Sequence, residues 1–176
     1  MLGWLVTRML PIIPMPVVRK VSSRYVAGEN LDVATAVVKG LNDRGYRATM
    51  DILGEDAKDA AHADGTVDGY RQVLDRIAKD GLQSNVSVKL THMGIRLGRP
   101  ESEARLARIL DKAAQHDNFV RIDMEDSGLT DTTFEVYRAA RARHAKVGTV
   151  IQAYLRRTVS DARVLAAEGA NLRLCK

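Results

Sequence analysis

Five short apolar runs in this sequence each end in a polar side chain able to do chemistry: Asp51, Lys89, Asp123, Gln152 and Lys176. A lysine in such a position can bind an anionic group or, with a depressed pKa, form a Schiff base. Asp123 opens a stretch in which Asp123, Glu125 and Asp126 crowd three carboxylates into four positions around Met124. Such a cluster can share a proton or hold a divalent cation, and His92 could add a nitrogen ligand. No spacing matches a zinc signature, and neither a Gly-x-Gly-x-x-Gly fingerprint nor a P-loop follows a strand. Polar residues are also common where strands simply meet solvent, so both readings stand at this point.

The elements that must position these residues follow from the periodicity. The apolar runs at 47–51, 85–89, 119–123, 149–152 and 171–176 are strand length and rich in apolar or β-branched residues. Between and before them lie stretches of helical period. Their faces are Leu31, Ala34, Val37, Val38 and Leu41; Val67, Tyr70, Val73, Leu74 and Ile77; and Leu106, Ile109, Leu110 and Ala113. Weaker faces are Phe134, Tyr137 and Arg141, then Val164, Leu165 and Glu168. Thr132 with Glu135 and Thr158 with Asp161 have capping-box spacing, and Gly45, Gly81, Gly148 and Gly169 sit where helices should stop. Alternating strands and helices predict an α/β fold with a parallel sheet, either a TIM barrel or a doubly wound sheet. In both, sites form at the carboxyl ends of strands, where the five polar residues lie.

Composition sets the outer bounds. With 45% apolar and 28% charged residues, the 176-residue chain falls in the range of an ordinary globular domain. Cys175 is the sole cysteine, which excludes an intramolecular disulfide. The net charge of +5 is concentrated in residues 1–28, where Arg8, Arg19, Lys20 and Arg24 stand without an acid. Aromatic residues make up only 5%, which argues against a nucleic-acid surface. Residues 1–28 read as an apolar, basic arm, and residues 29–176 as a partial barrel. Arg8, Pro11, Pro14 and Pro16 interrupt the arm, so it resembles neither a secretory signal nor a spanning helix. It is expected either to dock on the barrel or to touch an anionic membrane peripherally.

Taken in order, the strand-end motifs resemble the proline dehydrogenase family, monofunctional bacterial type. They are DILGE at 51–55, SVKLT at 87–91, VRIDMED at 120–126, VIQAYLR at 150–156 and NLRLCK at 171–176, with SRYVAG at 23–28 upstream. The resemblance implies a (β/α)8 barrel with FAD across the carboxyl ends of its strands. It also implies oxidation of L-proline to 1-pyrroline-5-carboxylate in proline catabolism, with electrons passed to a quinone. Lys89 is similar to the lysine that binds the substrate carboxylate, and Asp123 to the active-site aspartate. Met124 and Gln152 resemble flavin-contacting residues, and Asp51 an aspartate near the site. The carboxylate cluster would then hold no metal. A cytoplasmic enzyme, possible contact with the inner face of the membrane included, is the expectation.

The resemblance ends at the fifth strand, so a barrel truncated after about five strands is expected. The family continues with three more strands and a late arginine-bearing helix. Other readings of the same residues are a metal-dependent lyase or aldolase using Lys89 or the carboxylates of Asp51, Asp123 and Glu125, and a non-catalytic half-barrel.

Overall fold

The computed structural model describes residues 27, 28 and 30–176. The arm read from the sequence lies almost wholly outside the described residues. Helix α1 (Leu31–Asn42) precedes strand β1 (Ala48–Met50). Four helix–strand units follow: α2 (Ala60–Lys79) and β2 (Ser84–Val88), α3 (Arg99–Gln115) and β3 (Val120–Ile122), α4 (Thr130–Arg141) and β4 (Val147–Gln152), α5 (Thr158–Ala167) and β5 (Leu172–Cys175). A 3-10 turn, Ser127–Leu129, leads into α4.

All five strands are parallel and lie side by side in the order β1-β2-β3-β4-β5. A doubly wound sheet reverses its strand order at a switch point, whereas a barrel adds each strand next to the last. The consecutive order therefore assigns the sheet to the barrel type, as five strands of a (β/α)8 wall.

Register divides the sheet into two chemical faces. Val86 and Val88 on β2 pair laterally with Val120 and Ile122 on β3, and these align in turn with Val147 and Thr149 on β4. The four aliphatic residues of β2 and β3 are fully buried against the helices. Their partners there are Val67, Leu74 and Ile77 of α2, Leu106 and Ile109 of α3, and Phe134 and Tyr137 of α4. Each fully buried aliphatic side chain stabilises the fold by about 1.5–3 kcal/mol, so the core lies outside the sheet. Residues of the opposite parity turn inward and are mostly polar.

The expected faces of α2 and α3 are buried as read. The outer elements differ. On α1, Thr35 and Val38 are buried while Val37 is exposed, because this helix sits at the edge of the described sheet and packs chiefly on α2 and β1. On α4, Arg141 does not face the core; its guanidinium donates to the Glu168 carbonyl at 2.6 Å. On α5, Leu165 is buried but Val164 is exposed, and Glu168 lies past the helix in an ion pair with Arg138.

Neither expected capping box forms. Thr132 and Thr158 lie inside the first turns of α4 and α5, and the Thr158 hydroxyl donates instead to the Gln152 carbonyl. The caps that do form are Asn30, which accepts from Val33 N–H at 3.0 Å, and Asp59, which accepts from His62 N–H at 2.8 Å. Gly45, Gly81 and Gly169 end helices at positive φ, as expected. Gly148 does not. It lies within β4, where an added Cβ would stand 2.4 Å from Arg121 Nη1 and 2.7 Å from the Asn171 carbonyl. Its role is to let Arg121 cross the strand. Gly148→Ala is therefore expected to destabilise the protein by about 1–3 kcal/mol, the usual range for overpacking, as measured by urea unfolding. Unchanged stability would contradict the crossing.

Candidate active site

Asp51, Lys89 and Asp123 each stand one residue beyond a strand, and Gln152 is the last residue of β4. The four are held at the same end of the sheet, and each is set by a different partner. Lys176 does not join them: it is exposed, with its backbone at φ +55°.

Lys89 Nζ donates to Asp51 Oδ2 at 2.6 Å, with the lysine side chain 16% and the aspartate 33% exposed. Burial works against the Lys89 ammonium, but the Asp51 hydrogen bond and the charges of Asp51, Asp123 and Glu55 outweigh it and hold its pKa above the ordinary value. A Schiff-base lysine needs the opposite shift, so the geometry disfavours that reading of Lys89. The other Asp51 oxygen accepts from the Tyr70 hydroxyl at 2.7 Å, and that same hydroxyl accepts from Ile52 N–H at 3.2 Å.

Asp123 accepts from Ser87 Oγ at 2.5 Å and forms an ion pair with Arg173. Arg173 reaches from β5 to β3 across Val150, its lateral neighbour on β4. One register step away, Arg121 spans the same strands in the other direction. It passes over Gly148 to the carbonyls of Thr149 and Asn171 at 3.1 and 2.8 Å, and stacks over Phe119 at 4.7 Å. Burial and the charge of Arg173 push the Arg121 pKa down.

The carboxylate run splits. Both Glu125 oxygens accept from Thr91, one from its hydroxyl and one from its N–H at 3.0 Å. Burial pushes the Glu125 pKa up, with the Thr91 hydrogen bonds opposing and the Glu55 charge assisting. Asp126 pairs with Arg96, which lowers its pKa, and caps the 3-10 turn through Gly128 N–H at 2.9 Å. Arg96 also pairs with Asp56 at 2.9 Å. His92 does not approach the carboxylates as a ligand: its ring lies beneath Gly54 and edge-on to His62, 5.4 Å between centroids. Among the described residues no three His, Cys, Asp or Glu side chains gather as a metal site would require.

Met124 is buried in the apolar core. Gln152 is 4% exposed, and its amide reaches the carbonyls of Met124 and Glu125 at 3.4 Å each. Tyr70, Ser87, Thr91, Arg121 and Arg173 belong to the site without having been singled out from the sequence. Ser87, Arg121 and Arg173 did leave a signal, each being a lone polar residue flanked on both sides by apolar ones within a strand. Tyr70 left none, since its spacing is that of a core residue.

The sequence model of the family described as proline dehydrogenase matches residues 34–173. The chain belongs to the proline dehydrogenase family. Proline dehydrogenase 1 of Bacillus subtilis (strain 168) is 39% identical over 153 residues, which is 87% of this chain and 51% of that protein. Proline dehydrogenase of Deinococcus radiodurans is 32% identical over 164 residues, 88% of this chain and 52% of that protein. Proline utilization A from Bdellovibrio bacteriovorus, in the structure inactivated by N-propargylglycine, superposes with a TM-score of 0.79 at 25% identity. That match covers 88% of this chain and 20% of the other. Proline utilization A from Corynebacterium freiburgense shares the fold, with a TM-score of 0.72 at 21% identity over 99% of this chain and 19% of the other. The chain spans about half the length of the curated relatives it matches.

The Glu125 environment makes a pH prediction for this proline dehydrogenase family member. The folded protein holds the Glu125 proton more tightly than the unfolded chain, whose value is near 4.5. The resulting stability is full below that value and is lost as pH rises through the raised folded one. In Glu125→Gln, which cannot ionise, this loss should vanish. Urea unfolding from about pH 4 to about pH 7 should show wild-type stability falling relative to the variant. Parallel curves would refute the assignment.

Proposed function

We propose that this chain forms the substrate- and flavin-facing wall of an FAD-dependent proline dehydrogenase that oxidises L-proline to 1-pyrroline-5-carboxylate and passes the electrons to a quinone. The observation that carries the reading is the protonated Lys89 ammonium held at the sheet mouth by Asp51. An ammonium has three donors and Asp51 takes one, which leaves the others for a substrate carboxylate. Lys89 therefore anchors and orients proline rather than bonding to it.

The donor set suits a flavin. Arg173 Nε is buried without a partner among the described residues, and the Gln152 amide makes only long contacts to main-chain carbonyls. Both can donate to the oxygens and nitrogens of a flat heteroaromatic ring. In this reading Arg173 and Gln152 hold FAD, and Met124, buried in the core, supports Gln152 through its carbonyl instead of touching the ring. FAD, when bound, supplies the acceptor for two electrons and the hydrogen leaving the ring carbon beside the proline nitrogen. The nitrogen also gives up a proton in forming the C=N bond. Asp123 is the active-site carboxylate whose negative charge favours positive charge growing on that nitrogen. Ser87 and Arg173 hold it in place.

Residues 1–24 complete the proposal as a peripheral contact with anionic membrane, close to a quinone pool. Their four basic residues would contribute about 1 kcal/mol each at such a surface, less after salt screening. No described helix is long and apolar enough to cross a membrane. Co-sedimentation with anionic liposomes should fall when residues 1–24 are deleted, and should fall with added salt. Binding unchanged by the deletion would discard the contact.

The activity is tested in protein that carries this chain together with the family's remaining length. Purified material should contain FAD and reduce an artificial acceptor with L-proline. Lys89→Ala should raise KM for proline about tenfold or more, the worth of a hydrogen bond to a charged group, while flavin content stays near that of the wild type. Metal-dependent turnover by flavin-free protein would sink the reading, and equal loss of flavin and proline binding would remove Lys89 from its role.

A further inference from the structure

We propose that Tyr70, a buried residue of α2, is a positioning residue that sets the Lys89 ammonium by locking the Asp51 carboxylate between them. The consequence for proline rests on the reading of Lys89 given above; the coupling itself does not.

Tyr70 occupies a place on the α2 core face where a phenylalanine ring would pack equally well. Only its hydroxyl leaves that face, and there it is fully used: it donates to Asp51 Oδ1 at 2.7 Å and accepts from Ile52 N–H at 3.2 Å. The two oxygens of Asp51 are thereby divided, Oδ1 to Tyr70 and Oδ2 to Lys89 at 2.6 Å. Asp51 needs such a lock. It follows a three-residue strand at the sheet edge and is a third exposed, so its carboxylate could otherwise rotate toward water. With Oδ1 fixed from the helix side, Oδ2 faces along the mouth toward β2, and the ammonium has one geometry to adopt. Burial and the neighbouring Asp51 push the Tyr70 pKa above its ordinary value, so the hydroxyl remains a donor across the working pH range.

Tyr137 on α4 supplies an internal contrast. It is equally buried, yet its hydroxyl has no partner among the described residues. Removing each hydroxyl in turn compares the same chemical deletion with and without a link to Asp51.

The coupling is read by competitive acetylation of Lys89 with acetic anhydride, followed by mass spectrometry, in protein carrying the family's remaining length. Tyr70→Phe should increase Lys89 labelling about two- to tenfold, the effect of one hydrogen bond. In an Asp51→Asn background the same substitution should add nothing further, as expected when one residue acts only through the other. Tyr137→Phe should leave labelling unchanged. In the same variants KM for proline should follow labelling, with kcat changing less. Should Tyr70→Phe fail to fold, Tyr70→Met, which also lacks the hydroxyl, takes its place. Labelling that stays constant while the melting temperature falls would reduce Tyr70 to a core residue and overturn the proposal, as would equal effects with and without Asp51. If wild-type protein oxidises no proline but labelling is coupled, the activity reading fails and the positioning role stands. If proline is oxidised and labelling is uncoupled, the positioning role alone fails.

Discussion

A charged group drawn inside a sheet must find its counter-charge there, and the inner face of this wall is arranged around that requirement. Lys89 is mostly out of water and pairs with Asp51; Asp123 is likewise withdrawn and meets Arg173. Removing one member of such a pair costs more than the pair contributes, because the survivor stays desolvated without compensation. Four of the five strands are therefore tied to one another by charge as well as by backbone hydrogen bonds: β1 to β2 through Asp51 and Lys89, and β3 to β5 across β4 through Asp123 and Arg173. The side chains with chemistry to offer are also the ones that set the spacing of the wall.

Such an interior is possible only because stability comes from elsewhere. In many barrels the inward layers are filled with valine, isoleucine and leucine. Here the inward positions include Thr49, Asn85, Ser87, Arg121 and Arg173, with Thr49 donating to Asn85 at 2.8 Å. The apolar mass lies between sheet and helices, where Val86, Val88, Val120 and Ile122 meet α2, α3 and α4. Val150 and Gly148 depart from this polar pattern on the inner face of β4, and both sit where an arginine passes over that strand. Small or absent side chains there are a condition for Arg173 and Arg121 to reach β3 and β5. The polar lining and the composition of β4 are one constraint seen from two sides.

Much of this was legible in the sequence, for identifiable reasons. The parallel α/β alternation, the α2 and α3 faces, and the gathering of Asp51, Lys89, Asp123 and Gln152 follow from periodicity and from where polarity interrupts apolar runs. The consecutive strand order does not, since the same rhythm suits a doubly wound sheet. Local side-chain competition was harder to see. Thr132 and Thr158 have cap spacing, yet a tertiary acceptor, the Gln152 carbonyl, claims the Thr158 hydroxyl, and Asp126 takes over the start of the turn before α4. Gly148 reads as a helix stop because the space it leaves for Arg121 is defined by residues distant in sequence. Tyr70 is the deepest case: packing hides the ring among core residues, and only the hydroxyl has a separate destination.

The loops at the mouth extend the same logic from strands to the surface that faces a substrate. Ala57 N–H donates to the Thr91 carbonyl at 3.0 Å, which joins the first loop to the second. Thr91 in turn supplies both donors to Glu125, which joins the second loop to the third. Arg96 spans all three through Asp56 and Asp126. Surface ion pairs of this kind add little stability singly, but these converge on the segment that directly follows Lys89. Their effect is to restrict where the Lys89 backbone can go, while Asp51 and Tyr70 restrict where its ammonium can go. Orientation of a bound group to within a fraction of an ångström requires both restrictions, and residues far apart in the sequence supply them from opposite sides of the same lysine.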